Sequence, residues 1–418
     1  MYFPERSVNS ALQCYFLRRT IFQFSILIAV LFVPLAIGQT GSAPHTSTSA
    51  FATLSSKADA ARDAERLDEA IVLYKRALAL RPSWGEGWWS LGTIYYDRDS
   101  YAKAAVDFHK VTDLQPENGT AFAMLGLCEF ELGRDELALK HIQRGENLGL
   151  QKNPDLWHVV LFHEGMLLQR KGRFQAAQDT LEELCLQTGP SDKVANVLGM
   201  AMLRLATKDP PREGSTDAGV VLGIGRAECL AGQKKYDEAK PAFEGIVSQN
   251  PKYPNVHYAF GLFLTELRDI AGSVEQFKEE IQNHPDHVLA RLRIAAVEYK
   301  VNSAEAIPFA KEAVKLDPQQ PFAHYLLGLL LLDVDDYTNA IPELEIAQKG
   351  LPRESKIYFA LGTAYSRAGR RKEAAEARAT FARLNDEQKK IAGKAAQPVP
   401  RSSGPEQIPV GDLPSAPH

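Results

Sequence analysis

The sequence predicts an all-α protein assembled from repeated helical hairpins, and three observations carry that prediction. Pro82, Pro116, Pro251, Pro285, Pro318 and Pro352 close similar segments, and most neighbouring intervals are 33 or 34 residues. Upstream of each proline an Ala is followed four residues later by a large apolar side chain, as in Ala70/Tyr74, Ala104/Phe108, Ala239/Phe243 and Ala340/Leu344. Further upstream a small residue interrupts an apolar helical stretch: Ala58, Gly92, Ala227, Gly261, Ala295, Gly328 and Gly362. Apolar residues at i, i+3, i+4 and i+7 give each helix one sticky face. A Gly or Ala at the crossing lets two backbones approach, and the proline stops the second helix and starts the next turn. One such hairpin cannot bury its own face, so neighbours must stack.

The first stretch of the chain lies outside this period. Arg18 and Arg19 precede an uncharged apolar run from Thr20 to Gly38, and Ala36-Ile37-Gly38 places small residues where a signal peptidase reads them. Residues 1–38 therefore read as a signal peptide cleaved before Gln39 or, alternatively, as an uncleaved N-terminal signal anchor, since the run is just long enough for a bilayer core of roughly 30 Å. Either outcome exports the rest, giving a periplasmic or secreted protein or one membrane-anchored by residues 20–38. Residues 39–50 form a low-complexity linker.

The repeats begin at Phe51. The unit from Gly85 to Asn118 holds Trp88, Leu91, Gly92, Tyr95, Ala104, Phe108 and Pro116 in one register, and Leu361, Gly362, Tyr365 and Ala374 repeat much of it. On these residues the chain resembles the tetratricopeptide repeat (TPR) proteins. The pattern runs from Phe51 to Asp386, close to ten units of the ~34-residue TPR length. The resemblance implies a right-handed superhelical solenoid of helix-turn-helix repeats.

The register then weakens in order along the chain. The unit near Gly119 keeps Phe122, Leu125, Gly126 and Ala138 but has no closing proline until Pro154, and the unit near His158 has Gly165 and Ala177 as its markers. A first helix is predicted around Gly199, but "TKDPPREGSTDAG" (residues 207–219) stands where its second helix belongs. A Pro-Pro pair breaks helix, so this segment is expected as an exposed insertion between an N-terminal block (51–206) and a C-terminal block (220–386). It acts as a hinge or decorates a continuous array. Residues 387–418 are expected as a helix end and a disordered tail, with six prolines from Lys394 onward.

Composition narrows the function. A net charge of −4 gives no electrostatic case for nucleic acid. Cys14, Cys128, Cys185 and Cys229 contain no CxxC pair; Cys14 lies in the leader, and the other three are expected as small buried apolar residues. His158, His163 and Glu164 lack zincin spacing, and His284, Asp286 and His287 sit in a short turn expected to be exposed. His257 and His324 occur in the matched strings "HYAFGL" and "HYLLGL" and are expected to pack. No GxSxG elbow or Walker loop occurs, "GVVLGIG" (219–225) lies within a repeat helix, and no block outside the array is large enough for a catalytic domain. Asn118-Gly119-Thr120 fits the N-glycosylation pattern, which has meaning only in a eukaryotic secretory pathway. No catalytic residue, metal site or cofactor is expected; the protein is not predicted to be an enzyme.

The remaining question is where a partner binds. In TPR proteins the first helix of each hairpin lines the concave face, so the resemblance implies a protein or peptide ligand there. The residue after the main packing position, with those four and seven further on, makes a second stripe. Around Trp88 that stripe is Trp89, Thr93 and Tyr96, and elsewhere it is mostly apolar, which suggests a partner groove or tight internal packing. The partner-binding residues expected are Trp89, Thr93, Tyr96, Phe130, Phe162, Tyr258, Tyr299, Tyr325 and Phe359. The function expected is a non-enzymatic interaction scaffold of the cell envelope that holds an apolar or extended segment. A self-associating assembly factor and a glycan-recognition module are the alternatives. The charged clamp by which some TPR adaptors grip a peptide C-terminus is not reproduced.

Overall fold

The computed structural model describes residues 45–394. Among them are nineteen α-helices, one short 3-10 turn and no strand. The leader and most of the Pro-rich tail lie outside the described residues. The chain forms two compact units, one ending at Leu167 and one beginning at Leu168. Residues 168–206, grouped by sequence with the N-terminal block, fall in the second unit.

The first unit contains α1 (His45–Asp63), α2 (Leu67–Leu80), α3 (Gly85–Asp97), α4 (Tyr101–Leu114), α5 (Gly119–Glu131) and α6 (Asp135–Asn147), followed by most of α7 (Pro154–Arg170). Helices α1/α2, α3/α4 and α5/α6 are antiparallel hairpins, as the period requires. The small residue at each crossing faces the large one sixteen residues later. A side chain added at Gly92 would meet the fully buried Phe108 ring at 3.1 Å, and one at Gly126 would meet Ile142 at 2.9 Å. Tyr74 fills the same role against Ala58, and its hydroxyl donates to Asp59 at 2.7 Å.

The second unit contains α8 (Phe174–Thr188), α9 (Asp192–Met202), α10 (Thr216–Gly232), α11 (Tyr236–Gln249), α12 (Val256–Glu266), α13 (Ile270–Asn283), α14 (Val288–Glu298), α15 (Ser303–Leu316), α16 (Pro321–Asp333), α17 (Tyr337–Gly350), α18 (Ser355–Arg367) and α19 (Arg371–Lys394). From α10 onward the hairpins follow the predicted order, with Gly261 on Phe277 and Gly328 on Leu344. The exposed face of α19 carries charge and ends the stack with a solvated surface, as a terminal repeat needs.

Two local devices repeat along the chain. Within hairpins the first helix ends in a left-handed residue, at Glu65, Asp99, Gly133, Lys234, Arg268, Asp335 and Gly369. The next amide reaches back to close a six-residue ring, for example Ser100 N–H to Tyr95 O at 2.8 Å and Asp336 N–H to Leu331 O at 2.8 Å. Between hairpins, a side chain six residues after the proline donates to that proline's carbonyl. Trp88 does so to Pro82 at 2.8 Å, His257 to Pro251 at 2.9 Å, His324 to Pro318 at 3.0 Å and Tyr358 to Pro352 at 2.9 Å. His257 and His324 are thus buried joints of the stack.

The irregular place is α9. It ends in the same turn, with Arg204 left-handed and Leu205 N–H bonded to Met200 O at 2.8 Å, yet no second helix follows. Pro210 and Pro211 interrupt the segment, and α10 returns to lie against α9 instead. Gly199 and Gly225 face each other at the crossing: a Cβ on Gly225 would overlap the Ala195 carbonyl and lie 2.8 Å from Gly199 N. Helix α10 is therefore both the partner of α9 and the first helix of the hairpin α10/α11.

Candidate functional site: the first-helix face

The second stripe of the first unit starts at Trp89, half-exposed, with its ring edge-on to Phe108 at 5.3 Å. Thr93, one turn on, is half-buried and donates to Trp89 O at 3.0 Å. Tyr96 is buried against Tyr101 at 5.4 Å, and burial pushes its phenol well above the ordinary range. On α5 and α7, half-buried Phe130 and Phe162 flank the His163 ring at 4.7 and 5.7 Å. His163 Nδ1–H donates to Val159 O at 2.6 Å, which holds the ring between the two phenyls.

In the second unit most of the stripe is closed. Tyr258 is only 1% exposed, wedged between Phe277 and His287. Tyr299 is buried beside Asp333, and desolvation with that charge pushes its hydroxyl up to about 12. Tyr325 is buried against Phe322, which also drives its phenol upward. Phe359 alone among these aromatics is open, at 36%, with one side on Phe381 at 5.4 Å.

The nine expected contact residues therefore divide. Trp89, Thr93, Phe130, Phe162 and Phe359 retain accessible surface, whereas Tyr96, Tyr258, Tyr299 and Tyr325 are taken up by packing within the chain. The reason is geometric: in a stack, the second stripe faces the crevice between neighbouring first helices, and a large ring fills it. The Trp pair also differs from expectation. Trp88, assigned to the core, is as half-exposed as Trp89 and is fixed by its hydrogen bond to Pro82.

Four polar features correct the sequence reading or add to it. Cys185 of α8 and Cys229 of α10 form a disulfide with a Cα–Cα distance of 5.4 Å, so only Cys128 remains a buried free thiol among the described residues. His287, expected in an exposed turn, caps α14: its Nδ1 accepts from Ala290 N–H at 3.0 Å and its Nε2–H donates to Asn255 at 2.8 Å. The acceptor role of Nδ1 requires the neutral ring, and burial, then Arg204 and His284, push it down to about 4. Asn118, the glycosylation candidate, is the N-cap of α5, accepting from Ala121 N–H at 3.0 Å. Finally, Glu182 of α8 and Glu228 of α10 meet beside the disulfide, both raised by burial. No cluster of metal-ligating side chains occurs among the described residues.

Each unit is built as a helical-repeat protein is, from α-hairpins stacked in chain order. The family model described as Tetratricopeptide repeat matches residues 56–111 and 325–386, one stretch in each compact unit. In these two stretches the chain carries tetratricopeptide repeats, a type of domain that generally binds proteins or peptides. It is 21% identical over 247 residues to the human Protein O-mannosyl-transferase TMTC3, covering 56% of this chain and 26% of that protein. To the Arabidopsis thaliana Protein CTR9 homolog it is 23% identical over 276 residues, covering 65% and 23%. The chain thus spans about a quarter of the length of these relatives. Among solved structures, MamA from Desulfovibrio magneticus RS-1 is 25% identical over 40% of this chain and 95% of that one, with a TM-score of 0.38. Yeast Tom70 is 14% identical over 83% and 90%, with a TM-score of 0.31.

Proposed function

We propose that this protein is an exported, non-enzymatic scaffold that binds an apolar or amphipathic segment of a partner protein along the first-helix face. The observation that carries the reading is the set of half-exposed aromatic rings on α3, α5 and α7: Trp89, Phe130 and Phe162. Each is backed by another ring, so each offers a rigid apolar surface, the kind of anchor that dominates an interface. Export is supported by the charged-then-apolar leader, which lies outside the described residues, and by the Cys185–Cys229 disulfide, which persists most readily in an oxidising compartment. No described helix is long and apolar enough to cross a membrane. Affinity capture with the exported chain, read by mass spectrometry, tests the proposal. A partner captured by the wild type should be lost on Trp89→Ala plus Phe162→Ala, with helicity and melting retained. Unchanged capture by the folded double variant overturns the groove.

Self-association is the second reading, and one observation favours it. Val72 and Val106, and likewise Leu80 and Leu114, are exposed at equivalent positions on the second helices α2 and α4. This apolar ridge lies away from the aromatic stripe and would suit a second copy. Light scattering that finds a monomer at all concentrations removes it.

A further inference from the structure

The contact between α8 and α10 joins two features that partner binding does not use. The first is the disulfide. Cys185 and Cys229 are both fully buried, and their bond encloses α9 and the segment after it in one covalent loop. Gln233, just past the end of α10, donates to Cys185 O at 2.9 Å and ties the same contact by a hydrogen bond.

The second feature is the acid pair. Gln178 of α8 donates to Glu228 Oε1 at 2.7 Å. The other Glu228 oxygen and Glu182 Oε1 are buried and receive no donor from any other group. The two carboxyl groups are hydrogen-bonded to each other, and two carboxyls can share such a bond only when one proton lies between them. The groups facing the pair do not replace that proton. Asp179 of α8 and Glu266 of α12 are acids, Tyr236 of α11 donates to Glu266 at 2.9 Å, and Gln178, which also bonds Glu182, donates to Glu228 Oε1 and not to the two oxygens without a donor.

We propose that this contact is a redox-gated, proton-sensitive latch. With the disulfide formed, α8 and α10 stay together whatever the charge on the pair; with it reduced, they part when the shared proton is lost. Reduction by a small dithiol delivers two electrons and two protons to the S–S bond, leaving two thiols while the dithiol becomes a disulfide. Burial, and then the neighbouring carboxylates, raise Glu228 well above the ordinary carboxyl range, and Glu182 is raised by burial. A carboxyl raised in the fold stabilises it at low pH, and that contribution disappears as pH climbs through the folded value. The latch sits where α9 lacks its own second helix and α10 takes that place, so α8 and α10 meet across the break in the period.

Hydrogen exchange of the full chain, corrected for intrinsic rates, tests this over residues 176–188 and 216–232. The oxidised chain should show equal protection at about pH 5.5 and about pH 8. The dithiothreitol-reduced chain should keep that protection at the lower pH and lose about tenfold at the higher. Reduced Glu228→Gln should lose the pH dependence, because an amide supplies the missing donor without a titrating proton. Equal protection of the reduced chain at both pH values, or equal loss at both, overturns the proposal. So does peptide mapping that finds Cys185 and Cys229 as free thiols in the unreduced chain. If Glu228→Gln does not fold, the wild-type comparison at the two pH values decides alone.

Discussion

Replacing Gly225 with Ala tests the crossing of α9 and α10. The added Cβ would overlap the carbonyl oxygen of Ala195, lie 2.5 Å from its carbon and 2.8 Å from Gly199 N. All three are backbone atoms of a packed helix, so no flexible side chain can move aside. Reaching van der Waals distance requires the helices to separate by roughly 1 Å, and overpacking of this kind costs typically 1–3 kcal/mol. Because the obstacle is backbone, a cost near the top of that range is expected. Ala in place of helical Gly returns about 1 kcal/mol of propensity. The net is a destabilisation of about 2 kcal/mol, or roughly 4–8 °C in melting temperature for a unit of this size. Gly245, in α11, supplies the control: an added Cβ meets nothing within 4 Å. Gly245→Ala should therefore stabilise by up to about 1 kcal/mol. Thermal melts by circular dichroism, with hydrogen exchange over α9 and α10, measure both. If Gly225→Ala melts at or above the wild type while Gly245→Ala behaves as stated, the close crossing is refuted.

Two single groups, one in each unit, should contribute pH responses of opposite sign. In the first, burial raises Asp107 to about 7, with Lys75 opposing, and its Oδ2 has no hydrogen-bond partner. The folded unit binds this proton more tightly than the unfolded chain, so its stability falls as pH rises from about 4 to 7. Asp107→Asn should flatten that slope and raise the unit's stability at pH above 7, as read by exchange of α4. In the second unit His287 is pushed down to about 4. The unfolded chain then takes up the proton first, so stability falls as pH drops from 6.5 towards 4, by about 3 kcal/mol. Nitrogen NMR at pH 5 should show His287 neutral with the proton on Nε2, and a charged ring there refutes the capping role. Cys185→Ala plus Cys229→Ala removes a cross-link spanning 44 residues of sequence. The loss expected from loop closure is about 4 kcal/mol, seen as a lower denaturant midpoint for the second unit.

The hairpin array was legible in the sequence because its determinants are local and repeat. Gly92, Phe108 and Pro116 sit at fixed offsets, and each offset has one physical meaning: close approach, the ring that fills it, and the stop. The hairpin turns were less legible. A glycine would have marked the left-handed residue, but Glu65, Asp99, Lys234, Arg268 and Asp335 occupy it, so only the backbone reveals the motif. The disulfide was hidden for a different reason. Cys185 and Cys229 are two helices apart, and they meet only because α9 lacks a second helix and α10 moves into its place. A break in the period was visible at Pro210 and Pro211; what the break brings together depends on packing.

The aromatic stripe shows the limit of reading a surface from residue type. Trp89 and Tyr96 lie seven residues apart on one helical face, and both are apolar rings with a polar tip. Trp89 lies near the start of α3, where it stays partly open, whereas Tyr96 lies at its last turn and is covered by Tyr101 as α4 begins. The same logic closes Tyr258, which His287 and Phe277 enclose from the next elements along. Apolarity on the second stripe therefore reports two conditions at once, contact with a neighbouring repeat and readiness for a partner. Neighbouring rings and hydrogen bonds separate them. Trp89→Ala is thus expected to alter binding more than folding, because its ring is only partly covered by the chain. Tyr258→Ala removes a fully enclosed ring and should unfold the region around it, with a cost of about 3–5 kcal/mol.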